Sequence, residues 1–116
     1  MGVTYVQGEV RNNGKARSLE FLVDSGAQYT LVPQNVWRDL GLKPTRRMTF
    51  RLADGTPVER DISECFIRLP QGEGHTPVIL GETGDDALLG VVTLEIMGLV
   101  LNPFSRTLHP MRMMLG

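Results

Sequence analysis

The sequence contains little cysteine and histidine. Among its 116 residues there are one cysteine, Cys65, and two histidines, His75 and His109. A single cysteine cannot form an internal disulfide framework, and it fits a reducing compartment. These side chains also lack the spacing of a zinc site. We therefore expect neither a disulfide-stabilised scaffold nor a metal centre, and no cofactor.

The sequence also lacks an excess of charge of one sign and has no long apolar run. Twelve Lys and Arg residues stand against thirteen Asp and Glu residues, a net charge of −1, which gives no reason to expect a nucleic-acid partner. No apolar run reaches the roughly 18 residues of a membrane-spanning helix. The chain also begins without a secretory signal pattern. We expect one cytoplasmic domain over residues 1–116, with no membrane partner.

Thirteen glycines and seven prolines divide the sequence into short segments. Most of these segments have the alternating pattern of strands. About eight strands are predicted, at 3–11, 16–23, 30–32, 48–52, 57–62, 65–69, 76–80 and 99–101, with 107–111 as a last candidate. Short helices are predicted at 33–40 and 91–97, and a loop at 70–74. A mostly β fold, a closed or nearly closed barrel, would bury so many short strands.

The most informative segment is an apolar stretch that ends in Asp24-Ser25-Gly26. Residues 21–23 predict a buried strand, so the carboxylate is expected on a tight turn at the edge of the core. Gly26 allows a backbone amide to approach that carboxylate closely, and Ser25 can orient the turn by hydrogen bonding. Taken alone, Asp24 is equally well explained as a turn or cap residue.

Two further elements follow later in the chain. Asp54-Gly55 is a two-residue hairpin signal. Leu88-Leu89-Gly90 is an apolar segment that leads directly into the second predicted helix. The order of the three elements carries more information than any one of them.

Together, in this order, these elements resemble the single-domain, retroviral-type aspartic proteases, and most closely the small prokaryotic members of that group. Those members show a similar Leu-Val-Asp-(Ser/Thr)-Gly-Ala start, a Leu-Ala-Asp-Gly hairpin and a Leu-Leu-Gly-x-x-Thr-Leu-Glu helix. The matching segments here are 22–27, 52–55 and 88–95. The resemblance extends from about residue 3 to residue 110.

The resemblance implies a single-domain, closed β-barrel of the retropepsin-like acid protease type with one or two short helices. It implies that Asp24 is the catalytic aspartate and that Ser25 and Gly26 brace it. It also implies a set of substrate-binding residues that includes the tip of a flap and a hydrophobic loop packed beneath the active-site turn. The members of this set are Ala27, Ala53, Asp54, Gly55, Leu88 and Leu89.

The sequence departs from the viral pattern in three places. The flap has fewer glycines, Ser25 stands where threonine is commoner, and no arginine follows Gly90. The first departure concerns the mobility of the flap. The second removes a methyl group from the expected dimer contact.

Peptide hydrolysis by carboxylates needs two of them. One is ionised and draws a proton from water, while the other is protonated and polarises the carbonyl group. Two carboxylates in one site repel each other, so one pKa rises and the other falls. The chain has one Asp-(Ser/Thr)-Gly motif, so the resemblance implies a homodimer in which Asp24 pairs with its symmetry mate.

Two alternatives to a peptidase stay open. The first is a catalytically idle peptide-binding or dimerisation module on the same fold. The second is a small β-barrel that binds a ligand, with Asp24 as a plain turn residue. The intact Asp24-Ser25-Gly26 favours an aspartic endopeptidase with a peptide or protein substrate.

Several other residues receive a simpler interpretation. Cys65 is expected in the core, Glu95 on a solvated helix face, and His75 and His109 on loops or the surface. The methionines at 111, 113 and 114 form either a frayed tail or part of the dimer interface, and we favour the interface.

Overall fold

Short β-strands make up most of the structure. The computed structural model describes residues 3–111, and within them the chain forms nine strands and two helices. The strands are β1 (Thr4–Asn12), β2 (Lys15–Val23), β3 (Thr30–Val32), β4 (Arg46–Arg51), β5 (Pro57–Leu69), β6 (Gly72–Leu80), β7 (Leu88–Leu89), β8 (Leu99–Asn102) and β9 (Thr107–Pro110). The helices are α1 (Gln34–Asp39) and α2 (Val91–Ile96). The mostly β fold class is confirmed. Met113 and Met114 lie outside the described residues.

Seven strands form one sheet in the order β1-β2-β7-β3-β6-β5-β4. Antiparallel hairpins join β1 to β2, β4 to β5 and β5 to β6, whereas β2 with β7 and β3 with β6 are parallel pairs. β8 and β9 form a separate antiparallel pair. The closed barrel stays a prediction: β1 also pairs with β5, but over only Glu9 to Arg11, and β4 lies at the edge of the sheet.

The core is built by alternation along the strands. In β1 the side chains of Val6 and Val10 are buried while those of Tyr5 and Arg11 are exposed, because successive residues of a strand face opposite sides of the sheet. Phe21 on β2 is completely buried and is among the largest side chains of the core. Cys65 is also buried, as predicted, and burial raises the pKa of its thiol to about 12.

Asn13-Gly14 and Asp54-Gly55 are both two-residue hairpin signals in the sequence, but the turns that they form differ in type. Asn13 and Gly14 both have positive φ, 50° and 81°, as the tight two-residue turn requires. The second turn is longer than predicted. Its outer hydrogen bond joins the Leu52 amide to the Thr56 carbonyl, and its inner one joins the Gly55 amide to the Leu52 carbonyl. Only Gly55 in this turn has positive φ, at 89°, which is the geometry of a three-residue hairpin loop.

The region from residue 57 to residue 80 is more regular than its glycine content predicts. β5 is one continuous strand, not two, and the predicted loop at 70–74 is wrong for residues 72–74. Those residues begin β6, because the ladder with β5 continues to the pair Leu69 and Gly72. Space does not require glycine there, since a Cβ on Gly74 would lie 3.7 Å from Ile96, an ordinary van der Waals distance.

Both helices lie where the sequence places them. α1 and α2 are each six residues long and end just before Gly41 and Gly98. The indole N–H of Trp37 on α1 donates to the Gly81 carbonyl over 2.8 Å, which ties the helix to the end of β6. Among residues 3–111 no helix has the length and apolar character needed to cross a membrane.

The burial of Phe21 gives a test of the core. Phe21→Ala leaves a large cavity, and we expect it to lower the free energy of unfolding by about 3–5 kcal/mol. Val3→Ala is the control, because Val3 is 61% exposed and its truncation should change little. Urea denaturation at one fixed protein concentration measures both. Equal losses for the two variants would contradict this description of the core.

Candidate active site

Asp24 directly follows the buried end of β2. Its amide donates to the Leu89 carbonyl over 3.1 Å, and the Leu22 amide donates to the Ala87 carbonyl over 3.1 Å. These bonds extend the parallel pairing of β2 with β7. The aspartate is half-buried, so its carboxylate lies at the edge of the core on a backbone fixed from behind.

The turn after Asp24 is closed by the aspartate itself. The Gly26 amide donates to Asp24 Oδ1 over 2.9 Å, and the Ala27 amide donates to the Asp24 carbonyl over 3.1 Å. A Cβ on Gly26 would lie 3.2 Å from Asp24 Oδ1, closer than most Cβ contacts. The bracing expected of Ser25 and Gly26 therefore comes from the Gly26 amide, and Ser25 is exposed.

The segment 88–92 holds the other end of the turn. The amides of Val91 and Val92 donate to the carbonyls of Ala27 and Gln28, each over 2.9 Å. Gly90 lies against the backbone of Tyr29, where an added Cβ would be 2.5 Å from the Tyr29 carbonyl carbon. A side chain at position 90 would therefore separate the two segments.

An apolar cleft of about 250 Å³ opens beside this turn. Ala27 and Leu88 line it, together with Leu52 from the β4–β5 loop. Tyr29 and Phe50, also in the lining, form an edge-to-face aromatic pair with ring centroids 5.7 Å apart. The cleft can accept an apolar side chain within reach of the turn that carries Asp24.

The structure brings some of the predicted site residues together and separates others. Ala27 and Leu88 belong to the cleft. Leu89 is completely buried and is part of the core, so what it supplies to the turn is its carbonyl group. Ala53, Asp54 and Gly55 form the exposed tip of the β4–β5 hairpin and are not part of the cleft lining.

Sequence reasoning missed the aromatic wall of the cleft. Tyr29 and Leu31 alternate with the fully buried Thr30 and Val32, so period-2 alternation through β3 could have placed them on the face opposite the core. Phe50 was recognised only as part of a strand. Its aromatic partner, Tyr29, lies just before β3, far away in the sequence, and no local pattern reveals that the two rings meet.

At the exposed hairpin tip, local hydrogen bonds lower the pKa of the Asp54 carboxyl group. The Thr56 hydroxyl and the Thr56 amide both hydrogen-bond to the Asp54 carboxylate, the amide over 2.9 Å. Both bonds favour the ionised form, so they hold the pKa of Asp54 below its ordinary value. The Arg51 guanidinium donates to the Gly55 carbonyl over 3.0 Å and closes the loop from the other side.

A larger cleft, of about 650 Å³, lies elsewhere. It is bounded by the β1–β2 turn and by β5 and β6, and its lining mixes acidic and basic side chains such as Glu9, Arg11 and Glu64 with Phe66 and His75. None of the residues of the three sequence motifs lines it. In the part of the chain that the structure describes, no cluster of three or more His, Cys, Asp or Glu residues could hold a metal ion.

Comparisons with known proteins give one family match and many structural matches. A family model described as "gag-polyprotein putative aspartyl protease" matches residues 8–95. Among solved structures 216 chains match. One, described as the solution structure of Simian Foamy Virus (mac) protease, has a TM-score of 0.58 at 21% identity and covers 79% of this chain and 92% of that chain. At that identity the likeness shows the fold alone. No curated protein matches the chain.

The contact at Gly90 predicts a strong effect of a single methyl group. Gly90→Ala forces the added Cβ against the Tyr29 backbone, and we expect a loss of about 1–3 kcal/mol in the free energy of unfolding. Gly72→Ala is the matched control, because its Cβ would meet nothing closer than 3.7 Å. Urea denaturation compares the two. If Gly90→Ala were no less stable than Gly72→Ala, the segment 88–92 would not be held against the turn.

The hairpin tip predicts a change in a carboxyl pKa. Thr56→Val removes the hydroxyl bond to Asp54 and keeps the amide bond, so the pKa of Asp54 should rise toward its ordinary value. A lowered folded-state pKa means that the bond stabilises the hairpin above the unfolded-state pKa, and that this stabilisation disappears as pH falls through the folded-state pKa. Carbon NMR of the carboxyl group measures the titration, with the exposed Thr49→Val as control. An unchanged pKa of Asp54 would contradict the hydroxyl contact.

Proposed function

Because the chain belongs to the retroviral-type aspartyl protease family, whose model matches residues 8–95, we propose that it is an aspartic endopeptidase. The observation that carries the proposal is the turn at Asp24. Its carboxylate accepts the Gly26 amide over 2.9 Å, and its backbone is held by the Leu89 carbonyl. This places one fixed carboxylate beside an apolar cleft.

The second carboxylate is supplied by a second copy of the chain. Each chain has one Asp-(Ser/Thr)-Gly motif, so a two-fold dimer brings two Asp24 residues into one site. The ionised carboxylate takes a proton from a water molecule whose oxygen attacks the scissile carbonyl carbon, and the protonated carboxyl gives its proton to the carbonyl oxygen. The resulting diol collapses as the C–N bond breaks: the carboxyl that took the proton from water gives it to the nitrogen, and the other carboxylate takes a proton from a hydroxyl of the diol.

The peptide is held by the surfaces around the turn. The cleft of about 250 Å³ beside Ala27 accepts an apolar side chain next to the scissile bond, with Tyr29, Phe50 and Leu88 as its walls. The β4–β5 hairpin acts as the flap, and Ala53, Asp54 and Gly55 at its tip close over the peptide. Leu52 is 51% exposed in the single chain, and burying it against a peptide would favour closure.

We also propose a branch of the family and a cellular location for the chain. We place the chain with the small prokaryotic members, on the segments 22–27, 52–55 and 88–95, and expect it to act in the cytoplasm as a single domain with a closed barrel. Met111 is half-buried, and its amide donates to the Gly98 carbonyl. Residue 111 is therefore held beside the start of β8, and we propose that Met111 lies at the dimer interface.

Replacement of the aspartate tests the activity. Wild type is expected to cleave a mixed peptide library between mildly acid and neutral pH, and Asp24→Asn to lose about 10²–10⁴-fold in rate. Asp39→Asn is the matched control, because Asp39, on α1, is exposed and forms an ion pair with Arg17. Cleavage by both Asp variants would point to another site or a contaminant. Cleavage by none of the three proteins would favour the idle peptide-binding module.

Mixing the two proteins tests the pairing. An excess of Asp24→Asn over wild type should suppress cleavage, because most wild-type chains then pair with an inactive partner. Asp39→Asn in the same excess should not suppress it. Analytical ultracentrifugation under the assay conditions gives the oligomeric state, and an active monomer would overturn the shared site.

A further inference from the structure

Three buried threonines form a continuous hydrogen-bonded cluster, which we call the threonine chain. Thr30 on β3 and Thr93 on α2 are 0% exposed, and Thr76 on β6 is 1% exposed. The hydroxyl oxygen of Thr93 lies 2.6 Å from that of Thr30 and 2.8 Å from that of Thr76. Burying a hydroxyl group is costly unless it is hydrogen-bonded. The three side chains therefore satisfy one another as a unit.

The ends of the threonine chain fix the direction of its bonds. At one end the Gly90 amide donates to Thr30 Oγ1 over 3.0 Å. At the other end the Thr76 hydroxyl donates to the Pro77 carbonyl over 3.2 Å. A hydroxyl has a single hydrogen to donate, so Thr76 accepts from Thr93, and Thr93 accepts from Thr30. Removal of the Thr93 hydroxyl would break both inner bonds at once.

The Gly90 amide connects the threonine chain to the turn at Asp24. Gly90 directly follows Leu89, whose carbonyl accepts the Asp24 amide over 3.1 Å. The same glycine lies against the Tyr29 backbone, with no room for a Cβ. A displacement of Gly90 would therefore move the acceptor of the Asp24 amide.

Helix α2 holds the far end of the turn through backbone hydrogen bonds. Its first two amides, those of Val91 and Val92, donate to the carbonyls of Ala27 and Gln28. Thr93 is the next residue of the helix, and its hydroxyl ties the helix to β3 and β6 together. Both ends of the catalytic turn are thus bonded to a segment whose position the threonine chain fixes.

We propose that Thr93 is a positioning residue for peptide hydrolysis, acting through Thr30 and Gly90 on the backbone that carries Asp24. The inference rests on the proposed endopeptidase function. In a dimer the two carboxylates share one proton and one water molecule, so a small displacement of either impairs the reaction. Misplacement of a reacting group by about 1 Å can cost on the order of 10²-fold in rate. Thr93 acts through other residues, since it is wholly buried.

Two substitutions at one position test the proposal. Thr93→Val keeps the shape and removes the hydroxyl, whereas Thr93→Ser keeps the hydroxyl and removes a methyl group. We expect kcat per active site to fall about tenfold in Thr93→Val with KM changed by less than about twofold, and to be largely recovered in Thr93→Ser. Active sites are counted by titration with a tight-binding transition-state analogue. That count removes any effect of a smaller folded fraction.

A control variant separates positioning from stability. Ser63 is 3% exposed, and its hydroxyl donates to the Lys43 carbonyl over 2.7 Å, outside the threonine chain. Ser63→Ala also loses a buried hydroxyl bond, and should lower stability without changing kcat per titrated site. If Thr93→Val likewise kept the wild-type kcat per site, the positioning role would be overturned while the endopeptidase function stood.

Amide hydrogen exchange tests the mechanical link without using activity. Thr93→Val should accelerate exchange of the Asp24 and Gly90 amides at least tenfold relative to wild type, and Thr93→Ser should not. Wild-type exchange at both amides in Thr93→Val would overturn the link. A wild type that cleaves nothing while Asp24 exchange still responds to Thr93→Val would overturn the proposed function and leave the link intact.

Discussion

The contact between the turn at Asp24 and the segment 88–92 is the constraint on which the rest of the site depends. β2 runs parallel to β7, and the Asp24 amide continues that pairing through the Leu89 carbonyl. Backbone hydrogen bonds make the contact, so it tolerates many side chains along the two segments. Its one strict requirement is the lack of a side chain at Gly90, where a Cβ would enter the Tyr29 backbone.

The site combines two kinds of element, a turn held from behind and an exposed hairpin. The turn is held from behind by buried groups and offers its carboxylate on a fixed backbone. The β4–β5 hairpin is exposed from Leu52 to Thr56 and is closed only by local bonds at its tip. A carboxylate on a fixed backbone beside an exposed hairpin fits the proposed endopeptidase, which must admit a chain, enclose it and release two products. The apolar cleft lies between the two elements.

The motifs could be read from the sequence because their physics is local. The apolar run into Asp24-Ser25-Gly26 predicted a strand ending in a tight turn, and the Gly26 amide does meet the carboxylate. Asn13-Gly14 predicted its turn correctly for the same reason. Local sequence patterns gave the wrong secondary structure where strand pairing determined it. Gly72 and Gly74 look like loop residues, yet the ladder with β5 makes them strand.

The sequence by itself determined the strand-rich fold class, the two short helices, the aspartate turn and the family that these motifs resemble. Only the tertiary structure decided which residues surround the turn: the wall formed by Tyr29 and Phe50, the buried place of Leu89, and the threonine chain. The physical reason is distance along the chain. Hydrogen bonds such as that between Thr30 and Thr93 join segments that no periodicity relates, so they exist only once the strands have paired.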